Sequence, residues 1–305
     1  MRLVDRPRPR ARTGAVVVRV RGAGVCHSDI SIAEGRFGSV RLPRILGHEI
    51  AGEAEGVGNV LVYASWGCGR CSWCSRGEEQ LCREWTAAGW THDGGYAEWV
   101  WVPSRRYLIP LGDLDPAYAA PLADAGVTPY RAVRRALPWL GEGSVALVIG
   151  VGGLGQFAIQ YLKLLAGARV VAVDRVPQKL SWARELGADE VLRPGDPLPR
   201  VGAVFDFVGS SRTLAMGTSA LQPGGILVQV GEAGGRLPFG WDHVPQEAHL
   251  TNSVWGSLGE LREVVALALE GRIRWRVERM PLERVNEALA RVRSGTVVGR
   301  IVLVP

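Results

Sequence analysis

The sequence predicts an α/β chain whose first part is β-rich and whose second part is a doubly wound parallel sheet. Three features predict it. Residues 14–109 run as short, β-branched, Gly-punctuated segments, the texture of a turn-rich β domain. After "PLADAGVT", strand and helix patterns alternate, which implies parallel strands with crossover helices. The chain then closes on "VVGRIVLVP", a strand with the texture of the first part.

Taken in order, "AVVVRVRGAGV", "EIAGEAEGVGNVLVY" and "GGYAEWVWVP" read as strands of the β domain. "PYRAVRRAL" is helical, "SVALVIG" a buried strand, and "LGQFAIQYLKLLA" carries helical periodicity. Strand "RVVAVD", helix "PQKLSWARELG", strands "DEVLR" and "AVFDFVG", helix "RTLAMGTSAL" and strand "GILVQVG" follow. A last helix, "GELREVVALALEG", precedes the closing strand. These textures divide the chain at 1–124, 125–258 and 259–305, the last returning to the first domain, with a cysteine-rich lobe at 66–84.

At 305 residues the chain can build two cores. Its 47% hydrophobic and 22% charged residues are those of a soluble globular protein. The longest apolar runs are strand-length, too short for a bilayer, and no apolar region follows the basic N-terminus. A cytoplasmic protein with no membrane partner is expected. The net charge of +6 comes almost wholly from scattered arginines, with Lys163 and Lys179 the only lysines. No basic block is interleaved with aromatics, so no nucleic-acid partner is expected.

Cys68, Cys71, Cys74 and Cys82 follow C-x2-C-x2-C-x7-C. Disulfide frameworks belong to small secreted chains, so this cluster reads as metal ligands. Four thiolates suit a closed structural Zn²⁺ site; an iron–sulfur cluster takes the same donors.

"VIGVGGLG" places Gly150, Gly152 and Gly155 as G-x-G-x-x-G, with Gly153 and Leu154 between, after a strand and before a helix. The next strand ends at Asp174, nineteen residues beyond Gly155. This is the dinucleotide fingerprint: glycines admit the pyrophosphate to the helix N-terminus and the acid binds the adenosine ribose. Asp174 favours NAD over NADP, while Arg175 beside it pulls the other way.

"GVCHSDI" and "LGHEIAG" offer Cys26, His48 and Glu49, residue types that zinc takes and that, singly, are ordinary packing residues. "PLADAGVTPY" adds Asp124 among small and apolar neighbours, where an unpaired carboxylate is expensive.

These motifs, in this order, resemble the zinc-dependent medium-chain alcohol dehydrogenases over nearly the whole chain, from "RLVDRPRP" to "GRIVLVP". The resemblance implies a GroES-like catalytic domain beside a Rossmann domain, two zinc ions per subunit, NAD, and a homodimer or homotetramer. It implies that Cys26, His48 and Asp124 hold the catalytic zinc, Asp124 matching the branch whose third ligand is Asp. Ser28 matches the hydroxyl that takes the alcohol proton, Asp29 the acid behind the histidine ligand, and Glu49 an acid that can approach the metal. His27 and Arg300 match pyrophosphate contacts, Thr128 a nicotinamide contact, and Lys179 an adenosine-ribose contact. Trp85, Trp90 and Trp255 are candidate walls of an apolar substrate pocket.

The pattern is broken in four places. Ser31 stands where the family often has a relay histidine, so the relay ends in water. The chain is also shorter than the family before "RLVD", within "GEAEGVGNVLVY", and between "DEVLR" and "AVFDFVG". The last link must cross about 14 Å of sheet and return about 17 Å, while its nine residues reach about 30 Å extended. A taut loop without a helix is expected there. The expected activity is interconversion of primary or secondary alcohols with aldehydes or ketones. A polyol dehydrogenase, a non-catalytic zinc-stapled binding protein and an inactive shortened relative are the alternatives.

Overall fold

The computed structural model describes all residues except 12, 13, 39 and 142. The chain forms two compact units: residues 1–127, 256–272 and 276–305, and residues 128–255 with 273–275.

The first unit is built on a sheet ordered Val277–Pro281, Arg300–Val304, Val16–Gly24, Glu49–Ala54, Gly58–Val62 and Leu108–Pro110, with Trp99–Val102 also paired to Val16–Gly24. Val16–Gly24 changes partners along its length. Val16–Arg19 pairs with Trp99–Val102, whereas Ala23 and Gly24 pair with Leu303 and Val302. Its other edge meets Glu49–Ala54, with Gly24 opposite Glu49 and a register shift between Val20 and Gly22. The closing strand therefore does return to the first sheet. Glu49–Ala54 and Gly58–Val62 form a tight hairpin, Ala54 facing Gly58.

The second unit holds six parallel strands ordered Glu190–Leu192, Arg169–Val173, Val145–Ile149, Val201–Asp206, Leu221–Gln229 and His249–Asn252. Both faces of the central strands are buried, which is why they read as unbroken apolar runs. Leu147, Val171 and Val204 are inaccessible to solvent, each contributing about 1.5–3 kcal/mol by burial. Helix Gly155–Ala166 ends at Gly167 in the left-handed conformation (φ 58°), where glycine carries no Cβ penalty. Helix Ser211–Ala220 starts from a capping box of Ser210 and Thr213.

Residues 193–200 join Glu190–Leu192 to Val201–Asp206 without a helix, as the distances allowed. A shallow cavity of about 400 Å³ lies between this loop and helix Ser211–Ala220, lined by Arg193, Leu198, Arg212 and Met216 among others.

Candidate active site and metal centres

Sheet register assembles the first centre. Gly24 lies opposite Glu49, so Cys26, just beyond one strand, comes beside His48, just before the other. A Cβ at residue 24 would fall 1.8 Å from Glu49 Oε2; only glycine leaves that carboxylate its space. Asp124 follows the short helical turn Ala120–Ala123. Its Oδ2 lies 3.7 Å from Cys26 Sγ and 3.4 Å from His48 Nε2, and the three ligand atoms lie within 4.8 Å of one another.

Donors around one tetrahedral zinc stand about 3.3–3.8 Å apart, so this triad fits the ion. Its charge fits too, since a thiolate and a carboxylate neutralise Zn²⁺. Burial disfavours a charged His48, yet the Asp29 carboxylate and the contact with Asp124 outweigh it and raise His48 well above its ordinary value. The pocket favours positive charge at this point. Asp124, costly to bury unpaired, thus takes its place in a ligand set.

Asp29, fully buried, supports two of these ligands. Its Oδ2 accepts from Cys26 N at 2.9 Å and from Tyr96 Oη at 2.7 Å; its Oδ1 accepts from Gly47 N at 3.1 Å and lies 3.4 Å from His48 Nδ1. Such a carboxylate fixes the tautomer and orientation of a ligating histidine. Ser28 Oγ lies 3.7 Å from Cys26 Sγ in a half-buried position, and His27 is exposed.

Arg300, at the start of the closing strand, turns into this centre. Its guanidinium grips Glu49 through Nε at 3.1 and 2.9 Å and also lies 3.6 Å from Asp124 Oδ2. Arg300 is thus buried against an acid, a pairing that sequence reasoning missed although both residues were candidates. Glu49 also accepts from Ala125 N at 3.0 Å. Tyr96 was missed altogether, because a tyrosine in a β segment carries no chemical signature.

An aromatic cluster reaches the triad through Trp90. The Trp90 ring centre lies 6.4 Å from that of His48, 4.7 Å from Phe37 and 5.8 Å from Trp85. Trp85 is fixed by a 2.6 Å bond from Nε1 to Ser65 Oγ. Trp255 belongs to the other unit, buried and with φ of 46°.

The second centre is the lobe of Cys68, Cys71, Cys74 and Cys82. Sγ separations are 3.5 Å for Cys71–Cys74, 3.7 Å for Cys71–Cys82 and 4.0 Å for Cys68–Cys74. These are the distances across a single tetrahedral ion with Zn–S bonds of about 2.3 Å, and too close for thiolates spread around an iron–sulfur core. Gly67 is required beneath them, since a Cβ there would meet Cys74 Sγ at 2.4 Å. The buried Glu79 pairs with Arg106 and ties the lobe to the turn Arg105–Tyr107.

In the second unit, three glycines of the turn before helix Gly155–Ala166 differ in what surrounds them. Gly150 adopts φ of 89°, a Cβ on Gly155 would strike Gly150 O at 2.1 Å, and Gly152 faces open space. These are the separate demands of turn, close packing and ligand approach. Asp174 Oδ2 accepts from Val151 N at 2.8 Å and Oδ1 from Val176 N at 2.9 Å. Arg175 is exposed, and Lys179 is buried, its ammonium pushed down by burial against the pull of Asp174. Thr128, also buried, begins this unit.

Comparison with known proteins agrees with both halves. Residues 12–113 match the alcohol dehydrogenase GroES-like domain and residues 153–270 the zinc-binding dehydrogenase domain. An NAD-dependent alcohol dehydrogenase from Sulfurisphaera tokodaii is 37% identical, covering 100% of this chain and 96% of its own. D-arabinose 1-dehydrogenase (NADP(+)) from Saccharolobus solfataricus is 36% identical, covering 99% of this chain and 93% of its own. The crystal structure of the alcohol dehydrogenase from Aeropyrum pernix superposes with a TM-score of 0.91 at 37% identity, covering 100% of this chain and 96% of that one. With a ligand triad spaced for zinc, a four-thiolate lobe, a dinucleotide turn and relatives of this similarity over its full length, the chain belongs to the zinc-dependent medium-chain alcohol dehydrogenase family.

Proposed function

We propose that this chain is an NAD-dependent alcohol dehydrogenase that interconverts primary or secondary alcohols with aldehydes or ketones. The observation that carries this reading is the buried Cys26, His48 and Asp124 triad with a half-buried serine hydroxyl beside it. Cys26, His48 and Asp124 would hold the catalytic zinc, and Cys68, Cys71, Cys74 and Cys82 the structural one. When bound, zinc supplies Lewis-acid polarisation of the alcohol oxygen and NAD⁺ supplies the hydride acceptor.

The chain's own residues do the rest. Ser28 Oγ takes the alcohol proton and passes its own onward, ending in water because Ser31 offers no imidazole. Asp29 holds His48 with its Nδ1 proton inward, leaving Nε2 free of a proton as a donor to the metal. Gly150, Gly152, Gly153, Leu154 and Gly155 cradle the pyrophosphate, Asp174 and Lys179 bind the adenosine ribose, and Thr128 meets the nicotinamide. His27 adds a pyrophosphate contact. Trp85 and Trp90 form an apolar wall beside the triad, and Trp255 is a further candidate. No helix among the described residues is long and apolar enough to cross a membrane; a cytoplasmic homodimer or homotetramer completes the reading.

The test is NADH formation from NAD⁺ with 2-propanol, 1-butanol, sorbitol or D-arabinose, with and without a chelator. Chelator-sensitive turnover of the simple alcohols supports the proposal. Turnover of sorbitol or D-arabinose alone moves the enzyme to polyols or sugars, and none with any of the four marks an inactive relative or a binding protein.

A further inference from the structure

Asp29 is the hub that joins two zinc ligands, and the structure gives it a partner of its own. Tyr96 is buried, and its hydroxyl donates to Asp29 Oδ2 at 2.7 Å, with Gly24 O a second contact at 3.3 Å. The ring is fixed as firmly as the hydroxyl. Tyr96 N donates to Leu46 O at 2.9 Å and Gly95 N to Gly47 O at 2.8 Å. Those bonds zip residues 95–96 onto the run leading into His48. Gly47 makes room for the ring: its φ is 92°, and a Cβ there would lie 2.5 Å from Tyr96 Cδ1.

We propose that Tyr96 is a positioning residue of the catalytic metal site, fixing the Asp29 carboxylate so that Cys26 and His48 are held in ligating geometry. The proposal rests on the reading of Cys26, His48 and Asp124 as a zinc site. The division of labour on Asp29 supports it. One oxygen accepts from Gly47 N and lies 3.4 Å from His48 Nδ1; the other accepts from Cys26 N and Tyr96 Oη. Without the phenol, Oδ2 keeps only the Cys26 amide and the carboxylate can rotate, carrying His48 with it. Burial and the Asp29 charge push Tyr96 well above the ordinary tyrosine value, so its hydroxyl remains a donor.

The experiment follows zinc release from the full-length, zinc-loaded protein into excess chelator, read with a zinc indicator. The four-cysteine site serves as an internal reference. Tyr96→Phe keeps the ring and removes the hydroxyl; loss of a residue supporting a metal ligand costs about 10–100-fold in metal affinity. The catalytic-site ion should leave about 10-fold faster, while release from the cysteine site is unchanged. Asp29→Asn should produce at least as large an effect, and Tyr96→Phe/Asp29→Asn no more than Asp29→Asn alone, because Tyr96 acts through Asp29. Tyr63→Phe, which loses a buried 2.8 Å bond to Gly256 O, should leave the catalytic-site rate unchanged. Unaltered release from Tyr96→Phe, or equal acceleration by Tyr63→Phe, overturns the proposal, as does full additivity in the double variant. A wild-type preparation with fewer than two zinc ions per chain before chelation overturns the metal reading itself.

Discussion

Arg300 and Glu49, 251 residues apart in sequence, form a buried ion pair in which the Arg300 Nε reaches both carboxylate oxygens, at 3.1 and 2.9 Å. Neither side chain has meaningful access to water, with 7% and 0% exposure. Taking two charges out of water costs several kcal/mol per ion, and the pair is tolerable only because each satisfies the other.

Breaking the pair from one side should therefore be far worse than removing both charges. Arg300→Leu leaves Glu49 buried beside Asp124 with no counter-charge, and should cost about 3–5 kcal/mol. Arg300→Leu/Glu49→Leu should be less destabilised than Arg300→Leu alone, even though Ala125 N loses its acceptor. Urea midpoints for the four proteins of the cycle decide it; additive losses would mean the two side chains do not depend on each other.

Asp124 should behave as a ligand rather than as a structural acid. Asp124→Ala removes one of two anionic donors, so the variant should retain about one zinc per chain, in the cysteine lobe, by elemental analysis. Turnover should fall by about 10³-fold, the loss expected when several kcal/mol of Lewis-acid stabilisation disappear. A variant that keeps two zinc ions and its turnover would refute the assignment of Asp124.

What could be read from the sequence depended on whether the signal was local. The Gly150–Gly155 turn, the four-cysteine lobe and the alternation of strands and helices each fit within a few residues or one period, and each was legible. Cys26, His48 and Asp124 were ambiguous singly and became a site through resemblance. The Arg300–Glu49 pair and the Tyr96–Asp29 bond were not legible at all. The first depends on register, on which residue of Val16–Gly24 faces which residue of Glu49–Ala54 and Arg300–Val304; the second depends on the backbone bonds that hold residues 95–96 to residues 46–47. The link over 193–200 was legible for a different reason, since chain reach alone excluded a helix and left a loop.

Asp206 offers a pH prediction away from both metal centres. It is fully buried at the end of its strand, and Oδ1 accepts from Val208 N and Gly209 N at 2.8 and 2.9 Å. Burial raises its carboxyl above the ordinary value despite those two amides. The native state then holds a proton that the unfolded chain releases near pH 3.8. Its contribution to stability is therefore greatest at low pH and declines as pH rises from there through the raised native value. Asp206→Asn cannot titrate. The stability of the wild type minus that of the variant should fall between pH 4 and the native value, then level off. Urea unfolding of both proteins across pH 4–8 tests this, and a difference that grows with pH would show the sign to be wrong.

We propose that cofactor preference rests on Asp174, whose two oxygens are oriented by Val151 N and Val176 N, at 2.8 and 2.9 Å. A carboxylate held this way faces the glycine-rich turn and cannot swing aside for a 2′-phosphate, which would meet like charge and lack donors. Arg175 next to it is exposed, and a guanidinium binds phosphate well. The position of Asp174 decides it: the acid ends the strand beside the turn, whereas Arg175 must pay ordering entropy to arrive. Wild-type kcat/KM should favour NAD⁺ over NADP⁺ by about 10-fold or more, the size of a coupling of 1.4 kcal/mol or above. Asp174→Ser should remove the repulsion, lower the ratio by about 10-fold and recruit Arg175, so that Asp174→Ser/Arg175→Ala loses the gained NADP⁺ activity. A wild-type ratio near one, or an Asp174→Ser variant with unchanged preference, would place the discrimination elsewhere than in this carboxylate.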